Sequence, residues 1–423
     1  MEPLKRRGFL RASLGGVAWL AAAQLAAASD PRRPVPGRKP EGKALIVLWL
    51  GGGPSQLETF DPKPGAPVGG PTRAITTAAP GISIASGLPL LAARMADVSL
   101  VRSVVSKEGD HERGTFLLKT GQSPSPAVAH PALGAICAAE ASRKGDIPSY
   151  VSLLGSDSLG ADKASRGGYL GEAFDAFRVG DPRDRIADVT SPVDEARRLR
   201  RLEDAAIIDR SAAARGALGH TQAAFREQTE RALQLMASPD LAAFRVDEEP
   251  IAVQRAYGDT PFGRGCLAAR RLVEIGVRCV EVALEGWDTH IDNFAATAEK
   301  TAELDPAFAA LLADLRERDL LGSTLVLCTG EFGRTPSVNA AGGRDHWTQG
   351  FSLALAGGGI RGGQAIGETS PEGAPEPKDP CSVADVHATL LTAMGIDPEK
   401  VIDTPIGRPI RLSDGKPMKR LLA

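Results

Sequence analysis

Five side chains in the last third of the chain are of the types that hold divalent cations: Asp288 and His290 in WDTH, Glu331 in GEFGRTP, and Asp345 and His346 in GRDHW. Carboxylate oxygens and imidazole nitrogens ligate zinc, manganese, magnesium or calcium. A cation held this way acts as a Lewis acid on phosphate or sulfate esters and holds or generates the nucleophile. A second group, His111, Arg113 and Thr115, stands in SKEGDHERGTFLLKTG, where a strand pattern gives way to a helix. The free amides and dipole at a helix N-terminus favour an anion or a nucleophile. Each segment also has an ordinary alternative: Glu331 can pair with Arg334, Asp345 can cap a turn, and His111 can cap a helix or lie on the surface. Chemistry requires the separate segments to converge on one edge of the fold.

The elements that must position them follow from hydrophobic patterning. Apolar, β-branched runs at 277–284 and 324–329 predict buried strands, separated by a helical pattern carried by Phe308, Leu311, Leu312, Leu315 and Leu320. This is a βαβ unit, and ligands of such sheets bind past the carboxyl ends of the strands, where Asp288, His290 and Glu331 fall. Further strands are expected at 44–50, 98–105, 148–154 and 351–356, and helices through Phe116, Leu117 and Leu118 to an end at Gly121, at 263–275 and at 382–394 with Ser382 as cap. His387 lies beside Val383, Val386 and Leu390 and reads as core. The run Gly51-Gly52-Gly53 after the first strand has neither a Walker lysine nor GxGxxG spacing, so a nucleotide cradle is not indicated. It permits either a tight turn or a close approach to an anion, with Ser55, Gln56 and Asp61 capping that turn or lining the same edge.

The chain ends and composition narrow the function classes. Arg6-Arg7 in KRRGFLR, the apolar run at 14–28 and the small residues Ala26-Ala27-Ala28 form a twin-arginine signal pattern. Gly15, Gly16 and Gln24 interrupt the run, which is shorter than the ~20 apolar residues of a membrane span. A cleaved signal at 1–28 is therefore favoured over an uncleaved anchor, followed by a Pro/Arg/Lys/Gly linker at 29–42 and a single domain at 43–423 with a helical insertion at 192–245. The expected destination is the periplasm or the exterior, with no stable membrane span after cleavage. Lys+Arg number 50 against Asp+Glu 52, and losing the signal leaves 46 against 51. That acidic balance argues against a nucleic-acid partner. Five cysteines without a CxxC pair indicate neither a disulfide framework nor a structural zinc knuckle.

Together, WDTH, GEFGRTP, GRDHW, the opening LGGGPSQLETFDPKP and FLLKTG resemble the hallmarks of the DUF1501 family of exported bacterial proteins, which is grouped with the sulfatase and alkaline-phosphatase superfamily. The resemblance covers essentially the whole mature chain. It implies a three-layer α/β/α sandwich with a mostly parallel sheet, and late Asp-His pairs similar in type and order to Asp288, His290, Asp345 and His346. The helix ending in Leu118-Lys119-Thr120-Gly121 resembles the one that carries the superfamily nucleophile. That nucleophile is a modified cysteine or serine in sulfatases and serine or threonine in phosphatases; the corresponding stretch here offers Asp110, His111 and Thr115. Glycines stand where the superfamily places metal-binding aspartates after the first strand, which implies one metal or a repurposed pocket.

Residues and resemblance together give the expectation of a metal-dependent hydrolase of sulfate or phosphate esters, acting on a small molecule or polysaccharide. Asp288, His290, Glu331, Asp345 and His346 would hold the cation, His111 or Thr115 would be nucleophile or acid/base, and Arg113 and Arg334 would clamp the anion. Two alternatives stand beside it: an exported binding protein that kept the cleft and lost hydrolysis, and a structural envelope protein whose polar groups are ion-paired.

Overall fold

A nine-stranded sheet organises the chain. The computed structural model describes residues 42–423 other than 142–144, 156–163, 205–230, 406 and scattered positions between 185 and 202. The expected signal, nearly all of the linker and most of the insertion at 192–245 lie outside the described residues. Everything below belongs to the unit Pro40–Ala423.

The strands are β1 (Ala44–Gly51), β2 (Val98–Val105), β3 (Tyr150–Leu153), β4 (Phe177–Val179), β5 (Cys279–Glu285), β6 (Thr324–Thr329), β7 (Phe351–Gly357), β8 (Gln364–Ile366) and β9 (Cys381–Ser382). Their order is β8-β2-β7-β6-β1-β5-β3-β4, with β9 also on β2. All pairings are parallel except those of β7, which runs antiparallel to both β2 and β6. This sets the site. Strands β1, β2, β5 and β6 all end on one edge, and β7 begins there, so residues just before β7 join residues just after the other four.

Strand β1 is buried along its whole length because both faces of the sheet are covered. Ile46, Leu48 and Leu50 pack with Cys266, Leu267 and Leu272 of α3 (Pro261–Glu274) and Phe308, Leu311 and Leu315 of α4 (Asn293–Glu317). Leu45, Val47 and Trp49 face the opposite layer, with Leu117 and Leu118 of α1 (His111–Thr120), Ile136 of α2 (Leu133–Ala139) and Leu390 of α5 (Val383–Met394). The period-2 alternation of a strand thus feeds two cores, giving the three-layer α/β/α arrangement.

Local signals set the helix ends. Asp110 caps α1 by accepting from the Arg113 amide at 3.1 Å, and Gly121 closes it with φ 74°. Ser382 and Asp385 form a reciprocal capping box on α5.

Candidate metal centre

Three loops cross at the carboxyl edge, and Gly52 lets them do so. Its φ is 113°, and a Cβ there would lie 2.4 Å from the Asp288 amide nitrogen. Its own amide donates to Glu331 Oε1 at 2.9 Å. The glycine run therefore serves close backbone crossing, with Glu331 wholly buried against it.

His111, the first residue of α1, is held from behind by Glu331, with Nδ1 2.6 Å from Oε1. His290 Nδ1 lies 2.8 Å from Asp345 Oδ1, and His346 Nδ1 lies 2.7 Å from the Gly109 carbonyl oxygen. A carbonyl and a carboxylate accept, so each Nδ1 serves as the donor, and in the neutral ring each Nε2 then keeps its lone pair. All three Nε2 atoms turn toward one oxygen: Asp288 Oδ1 is 3.4 Å from His111, 3.1 Å from His290 and 3.4 Å from His346. His290 and His346 bring their Nε2 atoms within 3.0 Å of each other, and the buried Nε2 of His111 has no hydrogen-bond partner.

Acceptors are therefore gathered on acceptors. Such a cluster is repulsive unless a cation or extra protons occupy it. Ligand atoms of His111, Asp288 and His346 all lie within 4.8 Å of one another, forming a group that could hold a metal ion. Tetrahedral zinc with bonds of ~2.0–2.1 Å separates its ligands by roughly 3.3–3.4 Å; Asp288 Oδ1 stands at 3.4 Å from both His111 and His346, while His290 lies outside that mutually close trio, beside Asp288 and His346. The donor set fits a divalent cation.

The electrostatics pull in different directions within the cluster. Burial opposes charge on His111, yet the Glu331 hydrogen bond and the Glu331 and Asp288 charges outweigh it and hold its pKa above the usual value. Burial prevails at His346, which is lowered. At Asp288 burial favours the acid, but the Arg334 hydrogen bond and charge keep the carboxyl below its usual range.

Of the residues singled out in the sequence, Asp288, His290 and His346 meet here, and His111 joins them through its Nε2. Glu331 and Asp345 stand one layer back, each on the Nδ1 of a histidine. Arg113 is not brought to the cluster: it is half-exposed and bound to Glu108 at 2.6 and 2.8 Å. Thr115 is buried within α1 one turn beyond His111. Arg334 is fully buried, donating to Asp288 Oδ1 at 2.6 Å, to the Gly53 carbonyl at 2.9 Å, to the Arg344 carbonyl at 3.0 Å and to the Gly52 carbonyl. With its donors engaged on the protein, it ties loops and balances Asp288. Gln56 joins this core by exchanging hydrogen bonds with the Arg334 backbone, at 2.8 and 3.0 Å. Asp61 is turned away toward Lys63 and Thr369.

Sequence patterning missed the backbone partners, Gly52 N and Gly109 O, which carry no side-chain signal, and Asn339, which contacts both His290 and Asp345. A signal for His111 was present: Asp110-His111 and Asp345-His346 are the same dipeptide, and Asp288-Thr289-His290 differs by one insertion.

Fold and site together define an α/β/α protein with a histidine and aspartate cluster at the carboxyl ends of its strands. The family described as "Protein of unknown function (DUF1501)" matches residues 42–422, and the chain belongs to it. No match is found among curated proteins. Solved structures similar to the chain include a sulfatase from Pseudoalteromonas sp., at 13% identity and TM-score 0.37, covering 84% of this chain and 68% of that one. The alkaline phosphatase from the Antarctic bacterium TAB5 is similar at 14% identity and TM-score 0.33, over 76% and 92% of the two chains. The lipoteichoic acid synthase from Listeria monocytogenes is similar at 10% identity and TM-score 0.39, over 85% and 74%. Among the described residues no helix is long and apolar enough to cross a membrane.

Proposed function

We propose that the chain is an exported, metal-dependent hydrolase of phosphate or sulfate esters. The observation that carries this reading is the convergence of three Nε2 lone pairs on Asp288 Oδ1, each imidazole fixed through its Nδ1. A divalent cation held by His111, His290, His346 and Asp288 would supply Lewis acidity toward an ester oxygen and make water a competent nucleophile near neutral pH.

The protein's own groups do the rest. Glu331, Asp345 and the Gly109 carbonyl orient the rings, and Glu331 makes His111 the more basic. Arg334 offsets the Asp288 charge from the protein side. The side chains of His290 and Asp288 are 42% and 41% exposed while that of His111 is 13% exposed, so substrate enters over His290. Thr115 is buried and both nitrogens of His111 are directed inside the cluster, so attack on the ester falls to water. Export rests on the twin-arginine pattern of residues 5–11.

The engagement of both Arg113 and Arg334 with protein partners favours a second reading, in which the cluster binds its cation without turning over esters. One assay separates the two. Purified mature protein loaded with zinc, manganese, magnesium or calcium should hydrolyse an aryl phosphate or aryl sulfate. The rate should fall by about two orders of magnitude or more in His346→Ala with little change in unfolding temperature. Metal uptake with equal, background-level rates in both proteins would overturn the hydrolase and support the binding protein.

A further inference from the structure

Backbone bonds join the loop bearing Asp345 and His346 to the loop bearing His290, with the Arg344 amide donating to the Thr289 carbonyl and the Asn293 amide to the Gly342 carbonyl, each at 3.0 Å, and the side chain of Asn339 ties the same loops at the ligand itself. Asn339 Nδ2 donates to the His290 carbonyl at 3.0 Å and to Asp345 Oδ1 at 3.3 Å. Its Oδ1 accepts from the amides of Ala341 and Gly343, each at 2.9 Å. A primary amide has two N–H donors and one oxygen with two lone pairs, and Asn339 uses all of them. Asp345 Oδ1 is also the atom that faces His290 Nδ1 at 2.8 Å. The Asp345 side chain is 56% exposed, and a solvent-facing carboxylate left to itself keeps its rotamer freedom. Asn339 joins His290 in holding it to one orientation.

We propose that Asn339 is a positioning residue of the metal centre, locking Asp345 and the His290 backbone together so that His290 presents Nε2 to Asp288 and His346. This rests on the metal-centre reading above. Its two halves do different work. The oxygen shapes the loop through Ala341 and Gly343, as asparagine does in many turns; the nitrogen reaches the ligand and the carboxylate behind it. Asn339→Asp keeps acceptors for the loop amides, removes the donors and sets a second carboxylate against Asp345. Asn339→Ser retains a short acceptor and cannot span from His290 to Asp345.

Zinc alone is the probe, titrated calorimetrically into metal-free full-length mature protein, with thermal unfolding of the metal-free variants as the fold control. Asn339→Ala and Asn339→Asp should bind zinc about 10- to 100-fold more weakly than wild type, the range for lost outer-shell partners. Asn339→Ser substitutes for the alanine variant if that one does not fold. In a His290→Ala background the Asn339 substitution should cost nothing further, because its effect passes through His290. Unchanged zinc affinity in the folded single variants, or a full additional loss in the double variant, overturns the assignment. Wild-type protein that takes up no zinc overturns the centre itself, an outcome visible before any variant is made.

Discussion

His111 Nδ1 and Glu331 Oε1 meet at 2.6 Å although 220 positions separate the two residues. The contact joins the start of α1 to the end of β6, and the same Oε1 takes the Gly52 amide at the end of β1. Glu331 thus reads as the hub behind the cluster, raising the basicity of one imidazole while bound to the loop opposite. Glu331→Gln retains an acceptor and loses the charge; Glu331→Ala loses both. We expect zinc affinity to fall by roughly 10-fold in the first and roughly 100-fold in the second, measured by competition with a chromogenic chelator. Equal affinities in all three proteins would remove Glu331 from the centre.

Gly52 gives a backbone test of the same corner. With φ at 113° and a Cβ position 2.4 Å from the Asp288 amide nitrogen, no side chain fits without moving the loop that carries Asp288. Gly52→Ala should destabilise the protein by more than about 2 kcal/mol, from backbone strain and steric overlap together. Denaturant unfolding measures this, and a loss below about 0.5 kcal/mol would mean the loop yields freely.

What the sequence disclosed, and what it hid, follows from the range of the forces involved. Thr324–Thr329 was legible to the residue because a strand buried on both faces is a near-continuous apolar run, and Val98–Val105 because its valines and leucine carry β propensity despite Ser99, Arg102 and Ser103. Gly121 and Ser382 marked helix ends through local backbone chemistry. The insertion of antiparallel β7 between β2 and β6 was not legible, since strand order depends on nonlocal pairing, yet it brings His346 beside His111. The roles of the arginines were hidden for two reasons. Arg113 finds Glu108 five positions earlier, a pairing visible in KEGDHER once both are considered, whereas the partners of Arg334 are mostly backbone carbonyls, to which no sequence pattern points.

His387 provides a pH prediction away from the cluster. It is buried on α5, its Nε2 donates to the Leu118 carbonyl at 2.8 Å, and its buried Nδ1 has no partner. Burial lowers its pKa to about 4, only partly opposed by that carbonyl. The unfolded chain titrates near ~6.5, so between these values the unfolded state binds more protons and stability falls as pH falls. The contribution is complete above ~6.5 and is lost toward pH 4, on the order of 3 kcal/mol in all. Unfolding free energies measured across this window should show a shallower slope in His387→Gln than in wild type. Parallel curves would show that the imidazole is neutral for no energetic reason.

Export can be tested independently of catalysis. The twin arginines Arg6 and Arg7 are read by a receptor, so replacing both by lysine should leave unprocessed precursor in the cytoplasm. Immunoblotting of cell fractions distinguishes precursor from mature protein, and normal processing of the variant would make the pattern a coincidence.

The cation itself can be tested without knowing the substrate. Lone pairs of three imidazoles facing a carboxylate repel while no cation is present, and a metal that binds only the folded state stabilises it by mass action, about 2.7 kcal/mol at a hundredfold excess over Kd. Protein purified without chelator should carry a divalent metal by elemental analysis, and chelation should lower its unfolding temperature by several degrees. His290→Ala removes an Nε2 that lies 3.1 Å from Asp288 and 3.0 Å from His346, so it should weaken the metal enough for it to be lost on purification, though zinc added at high concentration still binds, and the purified protein should respond no further to chelator. His130, whose ring stands 6.1 Å from that of Tyr169 and takes no part in the cluster, should tolerate alanine with both metal and response intact. An unfolding temperature indifferent to chelator and to added zinc, manganese, magnesium and calcium would show that protons, not a cation, relieve the repulsion, and the metal centre would have to be abandoned.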